Sequence, residues 1–359
     1  MMPRVAIIYL AYNSKPYLDD VVASVENLQY PKDRLEFIIV DNNSPDGSAE
    51  VIRQSVVPKS GMSLPRVTFF PNPKNDGFAQ GNNIGVEHAL LEGVDYVFLL
   101  NNDAKFHPDA MTEVVKMAES DPKIGSVQSL MLLWQSPEIV NSTGGSVHFL
   151  GFGFVTDNGR LQREITVKDG AEIAYASGSA VLYRASVLRE VGLLDSYYFL
   201  YHEDLELGWR IRLHGYRNVL ALRSIVYHKY EFKRSIQKFF WMERNRLLVH
   251  VSHLKLATLL LIFPFWFVNE LVLWAFAIKG GWVREKFLSY VDCLRLKSWQ
   301  HVWKKRKISR MLRRVSDREI VRLFTGKIEH QETHNPMVEY VANPILALVW
   351  GVLRRVIVW

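Results

Sequence analysis

Apolar strands alternate with helical stretches through the first half of this chain, and that order limits the fold more than any other feature. Val5 to Ala11 is a continuous run without a charged residue. Leu35 to Val40, Arg66 to Phe70 and Asp95 to Leu100 read as further strands. Leu18 to Leu28, Ser48 to Gln54 and Gly77 to Leu91 carry helical patterns between them, and Pro108 to Ser120 follows the fourth strand. Continuous apolar strands, each followed by a helix, predict an α/β fold: a mostly parallel sheet covered on both faces. Such sheets bind ligands outside the carboxyl ends of their strands. Asp41 and Asp103 both fall at such ends.

From Gly125 to Ala174 the pattern loosens into short strands and glycine-rich turns. Ala180 to Tyr183 reads as a strand, Ala185 to Val191 as a helix, and Val219 to Val226 as a last strand followed by Tyr227-His228. After about Ser235 the character changes. Lys238 to His250 is aromatic and basic, Leu256 to Ile278 is almost wholly apolar, and Ile345 to Trp359 is a second apolar segment. This divides the chain into two regions, 1–235 and 236–359. Apolar content of 48% excludes global disorder. The net charge of +7 is concentrated late: fourteen basic and four acidic residues lie between Lys279 and Arg322. The single cysteine, Cys293, allows no disulfide within the chain and no cysteine-based zinc site, which suits a reducing, cytosolic setting. Val5 to Ala11 is too short and too β-branched for a leader peptide.

Three carboxylates and an arginine crowd into Glu203-Asp204-Leu205-Glu206-Leu207-Gly208-Trp209-Arg210, directly after an aromatic run. If Asp204 opens a helix, Glu206 points elsewhere and Arg210 follows about one and a half turns on. A carboxylate fixed at a helix start beside aromatic walls is partly desolvated, which suits a general base. Solvated acidic residues at a helix N-terminus would leave the same pattern. Asp41 begins Asp41-Asn42-Asn43-Ser44-Pro45-Asp46-Gly47. Its carboxylate could accept the imide N–H of uracil or thymine; turn chemistry is the plainer explanation. Asn75 to Gly85 is a glycine-bearing loop running into a helix, where backbone N–H groups can approach a ligand and where a helix cap accounts for the glycines equally well. It is neither a Walker A loop nor the dinucleotide fingerprint. Asp103, closing Asn101-Asn102-Asp103, could hold a hard divalent cation together with diphosphate oxygens and water, or could simply turn the chain. His228 could reach the same metal or diphosphate, although a lone histidine is more often structural.

In their order along the chain these pieces resemble family 2 glycosyltransferases of the GT-A fold, in particular the rhamnosyltransferase-like bacterial and archaeal subgroup. The resemblance covers roughly Arg4 to Tyr230. It implies that Asp41, with Asn43 beside it, binds the nucleobase. Asn75, Gly77, Gly81 and Asn82 would line the donor pocket. Asn102 and Asp103 would stand at the DxD motif, with Asp103 and His228 holding Mg²⁺ or Mn²⁺. Asp204 would be the catalytic base, Glu203 its neighbour, and Arg210 a support of the acidic cluster at the donor site. The implied enzyme is an inverting, hexosyltransferase-type glycosyltransferase. It would move a sugar, rhamnose among the candidates, from a UDP- or dTDP-sugar to a hydroxyl of a glycan or lipid-linked acceptor in cell-surface polysaccharide or glycoconjugate synthesis. Only the last DxD carboxylate is kept, which suggests metal affinity that depends on bound nucleotide. The Gln-x-x-Arg-Trp motif of processive synthases is missing, which favours single-sugar addition. The alternative is a catalytically inactive nucleotide-sugar-binding membrane protein; retention of Asp41, Asp103, Glu203 and Asp204 argues against it.

Leu256 to Ile278 is long enough to cross a bilayer, which takes about 20 apolar residues. One crossing, however, cannot keep both the nucleotide-sugar site and the later basic stretch in the cytosol. Pro264 and Asn269-Glu270 are expected to divide the segment into pieces too short to span. The expectation is therefore an in-plane or re-entrant arrangement on the cytoplasmic face of the cell membrane, with basic residues on anionic lipids. A buried helical subdomain or a homodimer interface would use the same segments. Aromatic residues in the basic stretch form no stacking platform, so nucleic acid is not an expected partner. Cutting after Ser235 is expected to leave a soluble catalytic domain.

Overall fold

Val5–Ala11 (β1) is buried at every position and forms the axis of the main sheet. In this computed structural model, which describes residues 2–229, 236–329 and 336–359, Leu35–Asp41 (β2) and Tyr96–Asn101 (β4) flank it in parallel. Arg66–Pro71 (β3) lies outside β2, also parallel. The sheet continues through Ala104–Phe106 (β5), Ile124–Leu133 (β6), Ser136–Ser142 (β7), Glu172–Ile173 (β10), Ala180–Arg184 (β11) and Arg217–His228 (β12). Its order is β10-β12-β6-β11-β4-β1-β2-β3, with β5 on β12 and β7 on β6, ten strands in all. β11 runs antiparallel between β4 and β6. Gly145–His148 (β8) and Gly153–Val155 (β9) make a smaller sheet with Phe324–Thr325 (β13).

Alternation along the strands builds two cores at once. Ile7, Tyr9, Phe37 and Phe98 pack on one face with Leu18–Glu26 (α1) and Ala110–Glu119 (α4). Ala6, Ile8, Ile38 and Leu99 pack on the other with Gly77–Leu91 (α3) and Ala185–Val191 (α5). The second expected helix is short: Ser48–Val51 (α2) gives way to a wider turn over Ile52–Val56. Glu203–Leu213 (α6) follows β11 and α5.

Beyond it lie Ile236–His253 (α7), Leu256–Gly280 (α8), Val283–Leu294 (α9), Leu296–Leu312 (α10), Asp317–Val321 (α11) and Asn343–Val356 (α12). Pro264 does not divide the apolar segment: α8 is one helix of 25 residues with the proline inside it. The regions described before and after residues 230–235 pack on each other. A third core draws Phe149, Tyr175 and Trp209 from the first region and Leu248, Ile262, Val302 and Trp350 from the second. β13 pairs with β8, and Arg212 of α6 donates to the carbonyls of Ile320 and Glu319, both at 2.7 Å.

Candidate active site

The parallel register brings the motif residues to one edge of the sheet. Ala11 at the end of β1 stands opposite Asp41, and Leu10 opposite Asn101. The N–H of Asn101 donates to the carbonyl of Ser179, so the loop entering β11 joins the same edge. His228 pairs with Ala104, which places it beside Asp103.

Asp41 is 2% exposed. One carboxylate oxygen accepts the N–H of Ser44 at 3.1 Å, and the other is buried with no partner. A buried orphan acceptor is costly and marks a place where a ligand donor fits. Asn43 beside it is exposed with φ 60°. Asn42, overlooked in the sequence, shapes the donor loop. Its amide donates to Asn75 Oδ1 (3.0 Å) and to the Gly77 carbonyl (3.1 Å), and its oxygen accepts the N–H of Asp76 (3.1 Å). Gly77 has φ 79°, and a Cβ there would lie 2.5 Å from Phe199. Two expected donor residues turn inward instead. Gly81 is the point where α3 meets β1, since a Cβ would come within 2.6 Å of Leu10. Asn82 is buried and donates to the carbonyl of Phe78 at 2.9 Å. Close packing on β1 accounts for Gly81, and a bond within α3 holds Asn82.

The approach to α6 is strained. Phe199, Tyr201 and His202 all have positive φ (57°, 68° and 69°) without being glycine; such residues cost of order 1–3 kcal/mol each and persist only where their surroundings hold them. Asn245 of α7 supplies that hold. It is fully buried, and its amide reaches the carbonyls of Tyr198, Leu200 and Tyr201 at 2.9, 3.0 and 2.8 Å. The Phe199 carbonyl accepts the N–H of Phe78 at 2.7 Å, tying this approach to the donor loop. No local sequence signal marks Asn245, because its partners lie more than forty positions away.

Asp204 is half-buried in the first turn of α6. One oxygen accepts the N–H of Gly178 at 3.1 Å and the other that of Leu205 at 2.7 Å. Burial raises its pKa, against the pull of those N–H groups. Glu203 is buried with an unpartnered oxygen; burial first, then the charge of Asp204, pushes it well above the carboxylate range. Glu206 behaves oppositely. Burial alone would raise it, but Arg210, Lys305 and His253 hold it well below the usual range. Arg210 corrects an expectation. It is 2% exposed and bound to Glu206 through Nε (2.9 Å) and Nη2 (2.6 Å), and to the carbonyls of Val191 and Leu193. It braces α6 from inside and does not face a donor.

Asp103 Oδ1 and His228 Nε2 face each other at 3.1 Å, and His228 Nδ1 lies 2.9 Å from Asn141 Oδ1. With the ring proton on Nδ1, a carboxylate oxygen and an imidazole lone pair converge. Two neighbouring ligands, each about 2.1 Å from a divalent cation, would be separated by about this much. The residues therefore fit Mg²⁺ or Mn²⁺. Among the described residues there is no group of three or more His, Cys, Asp or Glu placed to hold a metal, so the remaining ligands would be diphosphate oxygens and water. Asn102 is tied down by its bond to the Tyr12 carbonyl (2.7 Å) and by the Tyr9 hydroxyl on its own carbonyl (3.0 Å).

A mixed, mostly parallel sheet with acidic residues along one edge and a helical C-terminal region defines the GT-A class of fold. The chain belongs to glycosyl transferase family 2, whose model matches residues 6–192, just over half of its length. It is 26% identical over 225 residues to a poly-beta-1,6-N-acetyl-D-glucosamine synthase of Staphylococcus epidermidis, a match covering 62% of this chain and 49% of the synthase. The chain thus spans about half the length of that relative. An N-acetylglucosaminyl-diphospho-decaprenol L-rhamnosyltransferase of Mycobacterium tuberculosis is 25% identical, with 64% and 76% covered. Among solved structures, a mannosyltransferase from Pyrobaculum calidifontis with GDP-Man and Mn²⁺ superposes with a TM-score of 0.53 at 16% identity, covering 87% of each chain. TarS of S. aureus with UDP gives 0.51 at 14% identity, over 98% of this chain and 90% of that one. Both structural likenesses are of fold.

Proposed function

We propose that the chain is an inverting glycosyltransferase that moves one sugar from a UDP- or dTDP-sugar to a hydroxyl of a glycan or lipid-linked acceptor at the cytoplasmic face of the cell membrane. The observation that carries this reading is Asp204. It is a half-buried carboxylate locked by two backbone N–H groups, on the sheet edge that also holds Asp41 and the Asp103–His228 pair. Asp41 offers its orphan oxygen to a pyrimidine imide N–H. Asp103 and His228 would hold a Mg²⁺ or Mn²⁺ ion, whose charge offsets that of the departing diphosphate. Asp204 takes the proton from the acceptor hydroxyl as its oxygen bonds to the anomeric carbon and the bond to the diphosphate breaks. One base with no nucleophile beside it favours a single displacement with inversion. Rhamnose is a reasonable sugar, given the M. tuberculosis relative's name.

The test is Asp204→Asn against a panel of nucleotide-sugars. The amide fills the same space but takes no proton, so turnover should fall by roughly a hundredfold or more while UDP with Mn²⁺ stabilises the variant as it does the parent. A variant with undiminished turnover removes Asp204 from the role of base.

A further inference from the structure

Among the described residues, α8 is the one helix long and apolar enough, by length and composition, to cross a membrane. Its packing points elsewhere. Thr258, Ile262, Glu270 and Ala277 recur at helical spacing and are buried along one face from end to end. At its start, Asp317 accepts the N–H of Lys255 (2.8 Å) and the hydroxyl of Thr258 (2.6 Å). At its middle, Glu270 is bound by Arg246 of α7 (2.5 Å), Lys286 of α9 (2.7 Å) and the Tyr290 hydroxyl. Near its end, Trp274 stacks on Tyr290 of α9 at 5.8 Å and Ala277 is fully buried. A helix of 25 residues is about 37 Å long, and this one is tied to the protein at three points along that length. Crossing a bilayer would draw Arg246, Lys286 and Asp317 into hydrocarbon, which is expensive for each.

The opposite face is apolar and bare. Leu260 is 64% exposed, Phe267 52%, Leu271 57% and Ile278 69%. Pro264 is exposed beside them. It removes the N–H that would bond the Leu260 carbonyl, a loss that water and head groups at a bilayer surface can make good. A neighbouring stripe on α12 exposes Ile345, Leu348 and Val352 with Arg355 alongside. The two helices share one core, and the Trp359 indole donates to Thr258. Lys279 at the end of α8 and Arg284 just beyond it are exposed, as is Arg354 beside Arg355 on α12. Apolar stripes rimmed by cations match an anionic lipid surface.

Helix α7 links this surface to the site. Trp282, just past α8, stacks on Phe239 of α7 at 4.6 Å, and Trp241, on a different side of α7, stacks on Phe199 at 5.0 Å. Phe199 is the strained residue whose carbonyl holds the donor loop.

We propose that α8 lies flat in one leaflet of an anionic bilayer, docked on the protein along its whole length, and so holds the mouth of the site at the lipid surface. This deepens the transferase reading above, and it accounts for a membrane-anchored acceptor reaching a soluble donor.

The test uses the full chain in a Cys293→Ser background. In inside-out membrane vesicles, Ala257→Cys and Lys279→Cys, at the two ends of α8, should both react with an impermeant maleimide. A spanning helix would protect one end until detergent is added, and that result overturns the proposal. A fluorophore on Phe240→Cys should be quenched by head-group spin-labelled lipid, while one on Leu91→Cys should not; equal quenching overturns the placement of the mouth. With phosphatidylcholine vesicles containing about a quarter phosphatidylglycerol, the double variant Phe267→Glu, Leu271→Glu should lose roughly tenfold or more in binding. Undiminished binding also counts against the idea. Thermal stabilisation by UDP and Mn²⁺, measured without lipid, should be the same in that variant and the parent. Its absence in the parent would sink the transferase reading and leave the membrane geometry standing.

Discussion

Three acidic residues of α6 sit within four positions, and their neighbours divide them into separate roles. Glu206 is fully buried but surrounded by Arg210, His253 and Lys305, so it stays ionised and structural. Glu203 is buried without a cation, next to Asp204, so its proton is held tightly. The rise in Glu203 favours its keeping the proton of the pair, which would leave Asp204 as the carboxylate to act as base. The raised pKa of Glu203 also carries a stability cost. Between the ordinary glutamate pKa and the raised native one, the folded state binds more protons than the unfolded chain, so stability falls as pH rises through that window. Glu203→Gln removes the titration. Its thermal midpoint should exceed that of the parent at neutral pH, and the gain should vanish below about pH 4, where both carboxyls are protonated. A gain independent of pH would mean that packing, not the proton, is responsible.

At the scale of elements, the decisive contact is between α7 and the approach to α6. Three non-glycine residues with positive φ cannot hold themselves, and Asn245 bonds the carbonyls that fix them. Asn245→Ala should lower kcat by roughly tenfold to a hundredfold through misplacement of Asp204, with little change in the KM for the donor. Adding Tyr201→Gly, which adopts φ 68° without steric cost, should recover part of the loss. If Asn245 merely stabilised the fold, the second change would deepen the defect. That recovery would mark Asn245 as a positioning residue, and steady-state kinetics of the single and double variants check it.

For the whole molecule, the two regions share one core, which argues against a soluble fragment ending at Ser235. Such a fragment would expose Phe149, Tyr175 and Trp209, strip Glu206 of His253 and Lys305, and release the strained loop. It should aggregate, or bind UDP and Mn²⁺ far more weakly than the full chain; size-exclusion chromatography and calorimetry decide. The same shared core buries three imidazoles around Gly151 and Arg246. Burial first, then Arg246, lowers His202 to about 4 and His250 to about 3, and burial lowers His148 to about 4. The unfolded chain protonates them near 6.5, so it binds more protons between that pH and the native values. Stability should fall as pH drops below 6.5 and level off only under about 3, by roughly 3 kcal/mol each for His148 and His202 and more for His250. Urea midpoints across that range test it, and a flat profile would contradict neutral buried rings.

The sequence by itself determined the sheet. Strands apolar at every position, such as Val5–Ala11, can only lie between two layers, and the odd and even residues of that strand do enter different cores. It also determined the sheet edge on which Asp41, Asp103 and His228 meet, because parallel strands present their carboxyl ends together. Only the tertiary structure decided which motif residues face a ligand. Gly81, Asn82 and Arg210 belong to recognisable patterns, yet each is spent on packing or on a buried ion pair. Only the fold brought in Asn42, Gly178 and Asn245, whose roles rest on contacts between distant segments that no local pattern encodes. The apolar helix α8 follows the same rule. Its composition would permit a crossing, but the partners of Glu270 come from two other helices, and burying that carboxylate against the protein keeps the helix beside it.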